Sequence, residues 1–236
     1  MDTLYIVMPA YNEEANIEET IKKWYEVLSK INANDLSRLV VFNDGSIDRT
    51  FEIACSLQKS YPLLSVIDKA NSGHGPTVIE AYKYAINSKA KYIFMTDSDG
   101  QTDPKEFINF WNKRNEFDAI FGLRVNRGDG KFRKFVERVV CFLVYIFFGV
   151  KVRDANAPFR LYKSNILSKY IDRLPNDYNL PNIMITVFMS YYHENISFQK
   201  ISFKARNAGK NSINYKKIFK IGLNSIRAFY KFRKNM

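Results

Sequence analysis

The segment Thr96-Asp97-Ser98-Asp99-Gly100-Gln101 sets two carboxylates two residues apart, directly after the apolar run Tyr92–Met95. At that spacing the negative charges repel unless a cation or a proton compensates them. A divalent ion such as Mg²⁺ or Mn²⁺ takes oxygen ligands and keeps positions open for substrate phosphates. It also neutralises the charge that grows on a diphosphate leaving group. The competing reading is an Asp-rich turn in which Asp103 caps the next helix. An EF-hand is excluded because its final Glu is missing.

Three earlier loops share this design. Pro9-Ala10-Tyr11-Asn12-Glu13-Glu14 follows the apolar run Leu4–Met8; the proline is expected to stop a strand, and Asn12 to cap a helix that Glu13 and Glu14 begin. Asn43-Asp44-Gly45-Ser46, with Asp48 and Thr50 beyond it, ends the run Leu39–Phe42. Each alone reads equally well as a turn and helix cap, but successive acidic strand ends point to a shared site. In Asn71-Ser72-Gly73-His74-Gly75-Pro76, two glycines allow positive φ and close backbone approach to a ligand. The Lys-Ser/Thr ending of a phosphate loop is absent, and His74 reads as a surface histidine.

The elements that must carry these loops alternate. Strands are expected at Leu4–Met8, Leu39–Phe42, Leu63–Ile67 and Tyr92–Met95, with helices at Glu13–Lys30, Asp48–Ser60 and Pro76–Asn87. Alternation of this kind predicts an α/β fold with a mainly parallel sheet flanked by helices, binding ligands beyond the carboxyl ends of its strands. The second half is less regular: helices near Asp103–Asn115, Val136–Phe148, Asn182–Tyr192 and Tyr215–Phe232, and strands near Ala119–Gly122, Ala157–Tyr162 and Ile196–Lys204. With no repeat or linker, the expectation is one domain over residues 1–212 and a basic amphipathic helix over 213–236.

The 236 residues suit one large α/β domain. A composition of 46% hydrophobic and 25% charged residues excludes collagen-like and disordered classes. The net charge of +12 is unevenly spread. Residues 1–104 hold 10 Lys/Arg against 15 Asp/Glu, whereas residues 105–236 hold 26 against 9. An acidic N-terminal site facing a basic surface fits that split better than a nucleic-acid coat. No helix-turn-helix, zinc or RNA-binding signature accompanies the charge, so nucleic acid is not expected.

Cys55 and Cys141 form no metal spacing or disulfide framework, which favours a reducing compartment. The N-terminus lacks a signal-peptide pattern. The longest apolar run, Val139 to Val150, holds 12 residues, short of the roughly 20 that a spanning helix needs. Val136–Gly149 and the tail helix, both flanked by Lys/Arg, suit the headgroup region of an anionic membrane; the bland alternative is a core helix and a solvated basic surface.

The ordered set PAYNEE, NDGS, NSGHG and DSDGQ resembles family 2 glycosyltransferases of the GT-A fold. Downstream residues resemble the dolichol-phosphate mannose synthase-like, polyprenyl-phosphate branch: Gly122-Leu123-Arg124, the basic stretch 127–138, Phe148-Gly149, Val152-Arg153-Asp154, Pro158-Phe159-Arg160, and 206–212. The resemblance covers about residues 4–215.

It implies transfer of a sugar, with inversion, from a UDP- or GDP-sugar. By that likeness Pro9, Ala10, Tyr11 and Glu13 would hold base and ribose, Asp44 would meet the base, and Gly73 would lie against the donor. Asp97 and Asp99, with Gln101 beside them, would form the donor and metal site for Mg²⁺ or Mn²⁺. Arg124, Arg133, Arg206 and Lys210 would face donor or acceptor phosphates, for which a guanidinium fork is well shaped. A lipid-phosphate acceptor is already ionised, so positioning and charge neutralisation suffice. A hydroxyl acceptor needs a carboxylate base; Asp154 is the best remaining candidate, unless it merely holds Arg153 or a turn. Three positions depart from the pattern: Asn43 replaces a first Asp, Gly100 stands where the branch often has Leu, and Glu137 where it usually has Ser. The implied setting is cytoplasmic, peripheral at the inner membrane face. The alternatives are a glycan or lipid-linked oligosaccharide hydroxyl as acceptor, or a non-catalytic nucleotide-sugar or membrane-binding module.

Overall fold

The computed structural model describes residues 2–31, 35–125, 128, 130–205, 215–234 and 236. The first half alternates as expected: β1 Leu4–Ala10, α1 Ile17–Lys30, β2 Arg38–Asp44, α2 Thr50–Gln58, β3 Leu64–Lys69, α3 His74–Asn87 and β4 Tyr92–Thr96. There follow α4 Phe107–Asn112, β5 Ala119–Val125, α5 Lys131–Phe148, β6 Phe159–Lys163, α6 Ser164–Ile171, α7 Pro181–Tyr191, β7 Ile196–Ser202 and α8 Tyr215–Lys234. The strands form one seven-stranded sheet in the order β3-β2-β1-β4-β6-β5-β7. Strand β6 runs antiparallel to β4 and β5, and the other pairings are parallel.

Alternate residues of each strand feed two cores. Val7, Val40 and Phe42 face one layer with α3 and α5 to α8, while Leu4, Ile6, Met8 and Leu39 face another with α1, α2 and α4. Trp24 of α1, 1% exposed, anchors the second core against Phe94, Phe107 and Phe159. The chain passes from β1 outward to β3, then returns to the other side of β1 with β4. That reversal opens a crevice at the carboxyl ends of β1 and β4, the place where such sheets take ligands.

Several boundaries differ from expectation, each for a local reason. Pro9 does not stop β1, which runs on to Ala10 paired with Asn43 of β2. The β4 ladder has already ended at Val7–Met95, and the Pro9 carbonyl on that side accepts from Ser98 Oγ at 2.9 Å. A residue without N–H therefore forfeits no ladder bond there. Helix α1 begins at Ile17 rather than Glu13, and Asn12 does not cap it. Asn12 instead sits at φ 54° and accepts from Ile47 N at 2.9 Å, bridging to the loop after β2. The helix expected at Asp103–Asn115 is a 3₁₀ turn, Pro104–Glu106, followed by the short α4. Asp103 does cap that turn, accepting from Lys105 N at 3.0 Å. Helix α6 is an addition to the expected elements; it is short and follows β6 with no connecting turn.

Helix α8 packs on α5, with Phe229 buried against Phe147 and Phe148. Among the described residues no helix is long and apolar enough to cross a membrane.

Candidate active site

Loops at the carboxyl edge are laced to one another. Asn12 N donates to Ser46 Oγ at 3.0 Å, Glu13 N to Thr50 Oγ1 at 2.7 Å, and Glu14 N to Asp48 Oδ2 at 3.2 Å. Asp48 also accepts from Thr50 N and Oγ1. Burial raises the Asp48 carboxyl, but these hydrogen bonds to the charged form outweigh it and hold the pKa below its usual value. Pro9 and Ala10 are buried within the sheet, and Glu13 is folded back onto Asn16, accepting from its Nδ2 at 2.8 Å. Of the four residues expected at the nucleoside, Tyr11 is the one whose side chain is exposed.

Asp44 is 3% exposed and ties the end of β2 to the loop after β3. Its Oδ1 accepts from Lys69 Nζ at 2.7 Å and Ser72 N at 2.9 Å, and its Oδ2 from Gly73 N at 2.9 Å. Burial alone would raise the carboxyl; the Lys69 ammonium and the Ser72 N–H outweigh it, so the pKa lies below the ordinary value. Asp44 thus shapes the Asn71–Gly73 loop.

The two glycines of that loop have different duties. Gly73 takes φ +94°. Gly75 is needed for close approach to protein: a Cβ there would lie 2.4 Å from the Tyr178 carbonyl oxygen. Gly75→Ala is therefore expected to force α3 away from the 178–179 backbone, at about 1–3 kcal/mol, measurable as a lowered urea midpoint. His74, placed by these glycines, is half exposed, with Nε2 4.0 Å from Asp97 Oδ1. His74 is thus at the surface, as its sequence context suggests, and stands beside the carboxylate loop.

The loop after β4 alternates in burial. Ser98 is buried and donates to the Pro9 carbonyl, while its own carbonyl accepts from Thr20 Oγ1 at 3.3 Å. Asp97 and Asp99 on either side stay partly exposed, Asp97 by 27%. Asp99 Oδ1 accepts from Gln101 N at 3.1 Å, closing the turn that Gly100 makes at φ +72°. Gln101 is buried, and its amide Nε2 donates to the Lys204 carbonyl at 2.8 Å, while Lys204 N donates to the Gln101 carbonyl at 2.8 Å. The carboxylate loop is thus stitched to the segment after β7, ahead of Arg206 and Lys210 in the sequence. Both of those lie outside the described residues. A groove of about 510 Å³ between α1 and α4 borders Gly100, Asp103 and Lys204 but neither carboxylate.

Among the described residues no three His, Cys, Asp or Glu side chains cluster as a closed metal cage. Two partly exposed carboxylates, with the intervening serine turned inward, instead suit a hard ion that keeps open positions for phosphate oxygens.

Arg124, near the carboxyl end of β5, and Asp154, before β6, are engaged with each other. Arg124 grips Asp154 with Nε and Nη2, both at 2.8 Å, and its Nη2 also reaches Glu137 Oε2 at 3.0 Å. All three side chains are at most 13% exposed. A buried guanidinium needs carboxylates more than a solvated phosphate does, and Asp154 holds Arg124 rather than Arg153. Glu137 Oε1 accepts from Ala155 N at 2.8 Å. Burial and the neighbouring Asp154 push the Glu137 pKa up; for Asp154 burial acts upward too, but Arg124 outweighs it and the pKa falls. A raised carboxyl means the folded state keeps its proton longer, so stability declines as pH rises from about 4.5 through the folded value. Glu137→Gln is expected to flatten that decline in urea melts taken across acid pH.

Arg160, fully buried, is a structural centre that its sequence context does not announce. It donates to the carbonyls of Ala155, Ala157 and Asn182 and to Thr186 Oγ1, and stacks 4.6 Å from the Phe121 ring. Arg133 is partly exposed near the start of α5.

An uncharacterized protein of Methanocaldococcus jannaschii is 28% identical over 183 residues, 75% of this chain and 71% of its own length. Undecaprenyl-phosphate 4-deoxy-4-formamido-L-arabinose transferase of Pseudomonas paraeruginosa is 25% identical over 173 residues, 71% of this chain. The chain spans about half (49%) of that relative's length. Among solved structures, Mycobacterium tuberculosis glucosyl-3-phosphoglycerate synthase with Mn²⁺, UDP-glucose and phosphoglyceric acid superposes with TM-score 0.71 at 15% identity, covering 100% of this chain and 80% of that one. S. aureus TarS with UDP-GlcNAc gives TM-score 0.62 at 17% identity, covering 96% of this chain and 66% of that one. These two likenesses fix the fold as GT-A. The model of the family described as Glycosyl transferase family 2 matches residues 5–174, from β1 past α6 and across the loops that follow β1, β2, β3 and β4. The chain is an enzyme of glycosyl transferase family 2.

Proposed function

We propose that this glycosyltransferase moves a sugar, with inversion, from a UDP- or GDP-sugar to a polyprenyl-phosphate at the inner face of a membrane. The carrying observation is the alternation at Asp97, Ser98 and Asp99: the serine anchors the loop to β1, and both carboxylates stay partly exposed at the topological reversal. Asp97 and Asp99 would hold Mg²⁺ or Mn²⁺, which when bound supplies charge neutralisation for the departing nucleoside diphosphate. Mn²⁺ beside UDP-glucose in the M. tuberculosis structure supports that choice of ion.

The chain's own residues do the remaining work. Tyr11 offers an aromatic face for the base, Asp44 sets the loop that carries Gly73 and His74, and Gln101 keeps the carboxylate loop closed. Arg133, Arg206 and Lys210 would balance the acceptor and donor phosphates. Arg124, Asp154 and Glu137 hold β5, α5 and the turn before β6 in register. An acceptor phosphate is already ionised, so the enzyme needs alignment for attack on the anomeric carbon rather than a base. The undecaprenyl-phosphate transferase activity of the Pseudomonas relative supports this acceptor class.

Radiolabelled donors offered with polyprenyl-phosphate and, separately, with glycan acceptors test the reading. Label is expected in the lipid fraction. Label confined to glycan would reject the acceptor, and would favour a hydroxyl acceptor in surface polysaccharide synthesis.

A further inference from the structure

Helix α5 carries a second surface, apart from the carboxylates. Its inner side is bound into the core by Val144 and Phe148, which are at most 3% exposed. On its outer side Phe135, Val139, Phe142 and Ile146 are 62%, 39%, 61% and 60% exposed. Steps of four, three and four residues put these side chains on one face through three helical turns. Single exposed hydrophobics are ordinary, but four large ones in a continuous stripe mark an interaction surface. Lys134 and Arg138, both exposed and four residues apart, border the stripe, with Tyr145 beside them. Glu137, the one acid in the α5 sequence, is turned inward to Arg124 and Ala155 N. The outer face of α5 is therefore apolar and positive.

We propose that this face is a docking surface for an anionic lipid bilayer, the four apolar side chains entering the acyl boundary and Lys134 and Arg138 meeting the headgroups. Charge decides between this occupant and a second copy of the chain. Residues 105–236 carry a net +17, so a symmetric contact through α5 would set like charges against each other. An anionic surface instead gains from each of them, about fivefold in affinity per Lys or Arg near the headgroups. The helix has 18 residues, about 27 Å at 1.5 Å rise, which suits lying in the interface plane. The inference shares only the membrane location with the proposed function; it rests on exposure and charge and stands apart from sugar transfer.

Co-sedimentation with vesicles of equimolar phosphatidylcholine and phosphatidylglycerol, without polyprenyl-phosphate, tests docking alone. The intact chain is expected to bind. The triple variant Phe135→Ser, Phe142→Ser and Ile146→Ser should bind at least about tenfold more weakly. Lys134→Gln with Arg138→Gln should lose about twenty-five-fold, and high salt should have the same sense. These side chains are exposed, so melting temperature is expected to hold, as is transfer to a water-soluble short-chain prenyl phosphate. Equal vesicle binding by wild type and triple variant would overturn the proposal. So would a wild-type dimer that ignores vesicles and falls apart in the triple variant. Loss of transfer with vesicle binding intact would strike the proposed function and leave this surface standing.

Discussion

Asp97→Asn and Asp99→Asn are each expected to cut sugar transfer by about a hundred- to a thousandfold, without loss of fold. Removing one preorganised group that stabilises developing charge typically costs that much, about 2.7–4 kcal/mol of barrier. The substitutions keep side-chain volume, and the amide introduced by Asp99→Asn retains an oxygen to accept from Gln101 N, the bond that closes the turn. The tie between this loop and β1 is made by Ser98, which neither variant touches. Each variant also removes one of two neighbouring negative charges, so the metal-free protein should melt at the same temperature or slightly higher. A purely structural Asp-rich turn predicts the opposite pattern, lower stability with activity in proportion. Mn²⁺ titration by calorimetry, run beside thermal melts, separates the two. Metal binding lost at unchanged melting temperature marks a functional pair.

Arg124→Met should be the most destabilising single change in the Arg124, Asp154 and Glu137 network. It strips the cation from two buried carboxylates, Asp154 and Glu137, that otherwise face each other. Breaking a buried pair by removing one partner costs about 3–5 kcal/mol. Asp154→Asn should cost less, because Arg124 keeps Glu137 at 3.0 Å and the new amide oxygen still accepts. The pH dependence gives the signature. Without Arg124, both carboxyls are raised in the folded state and bind protons above their unfolded values, near 4. Stability then falls as pH climbs through that window, so the deficit is small near pH 4 and full at neutrality. Urea midpoints of wild type and variant across that range read it directly. A deficit constant with pH would show that lost packing, not uncompensated charge, is the cause.

The alternation of elements and the loops at the carboxyl edge are legible in the sequence because they depend on local pattern. Runs such as Leu39–Phe42 and Tyr92–Met95 announce strands, and the spacing in Asp97-Ser98-Asp99 survives intact as partly exposed, buried, partly exposed. What sequence cannot supply is partner choice across the chain. Asn12 reads as a helix cap, but its oxygen serves Ile47, 35 residues away. Pro9 reads as a strand stop because propensity does not reveal that β4 leaves the ladder two residues earlier. The family likeness offers Arg124 for phosphate and Asp154 as a base, and only packing reveals that Glu137 of α5 joins them in a buried network. Gly75 reads as a ligand contact, and the backbone it admits is that of Tyr178 and Asn179.

Nucleotide release from a panel of UDP- and GDP-sugars, measured with polyprenyl-phosphate and Mn²⁺ and then with the ion chelated, tests metal-dependent transfer to a lipid phosphate most directly. Release is expected from a donor of one nucleotide class, dependent on both the lipid phosphate and the ion, and falling to background in Asp97→Asn. Release that continues unchanged under chelation, or at equal rate in Asp97→Asn, would contradict it.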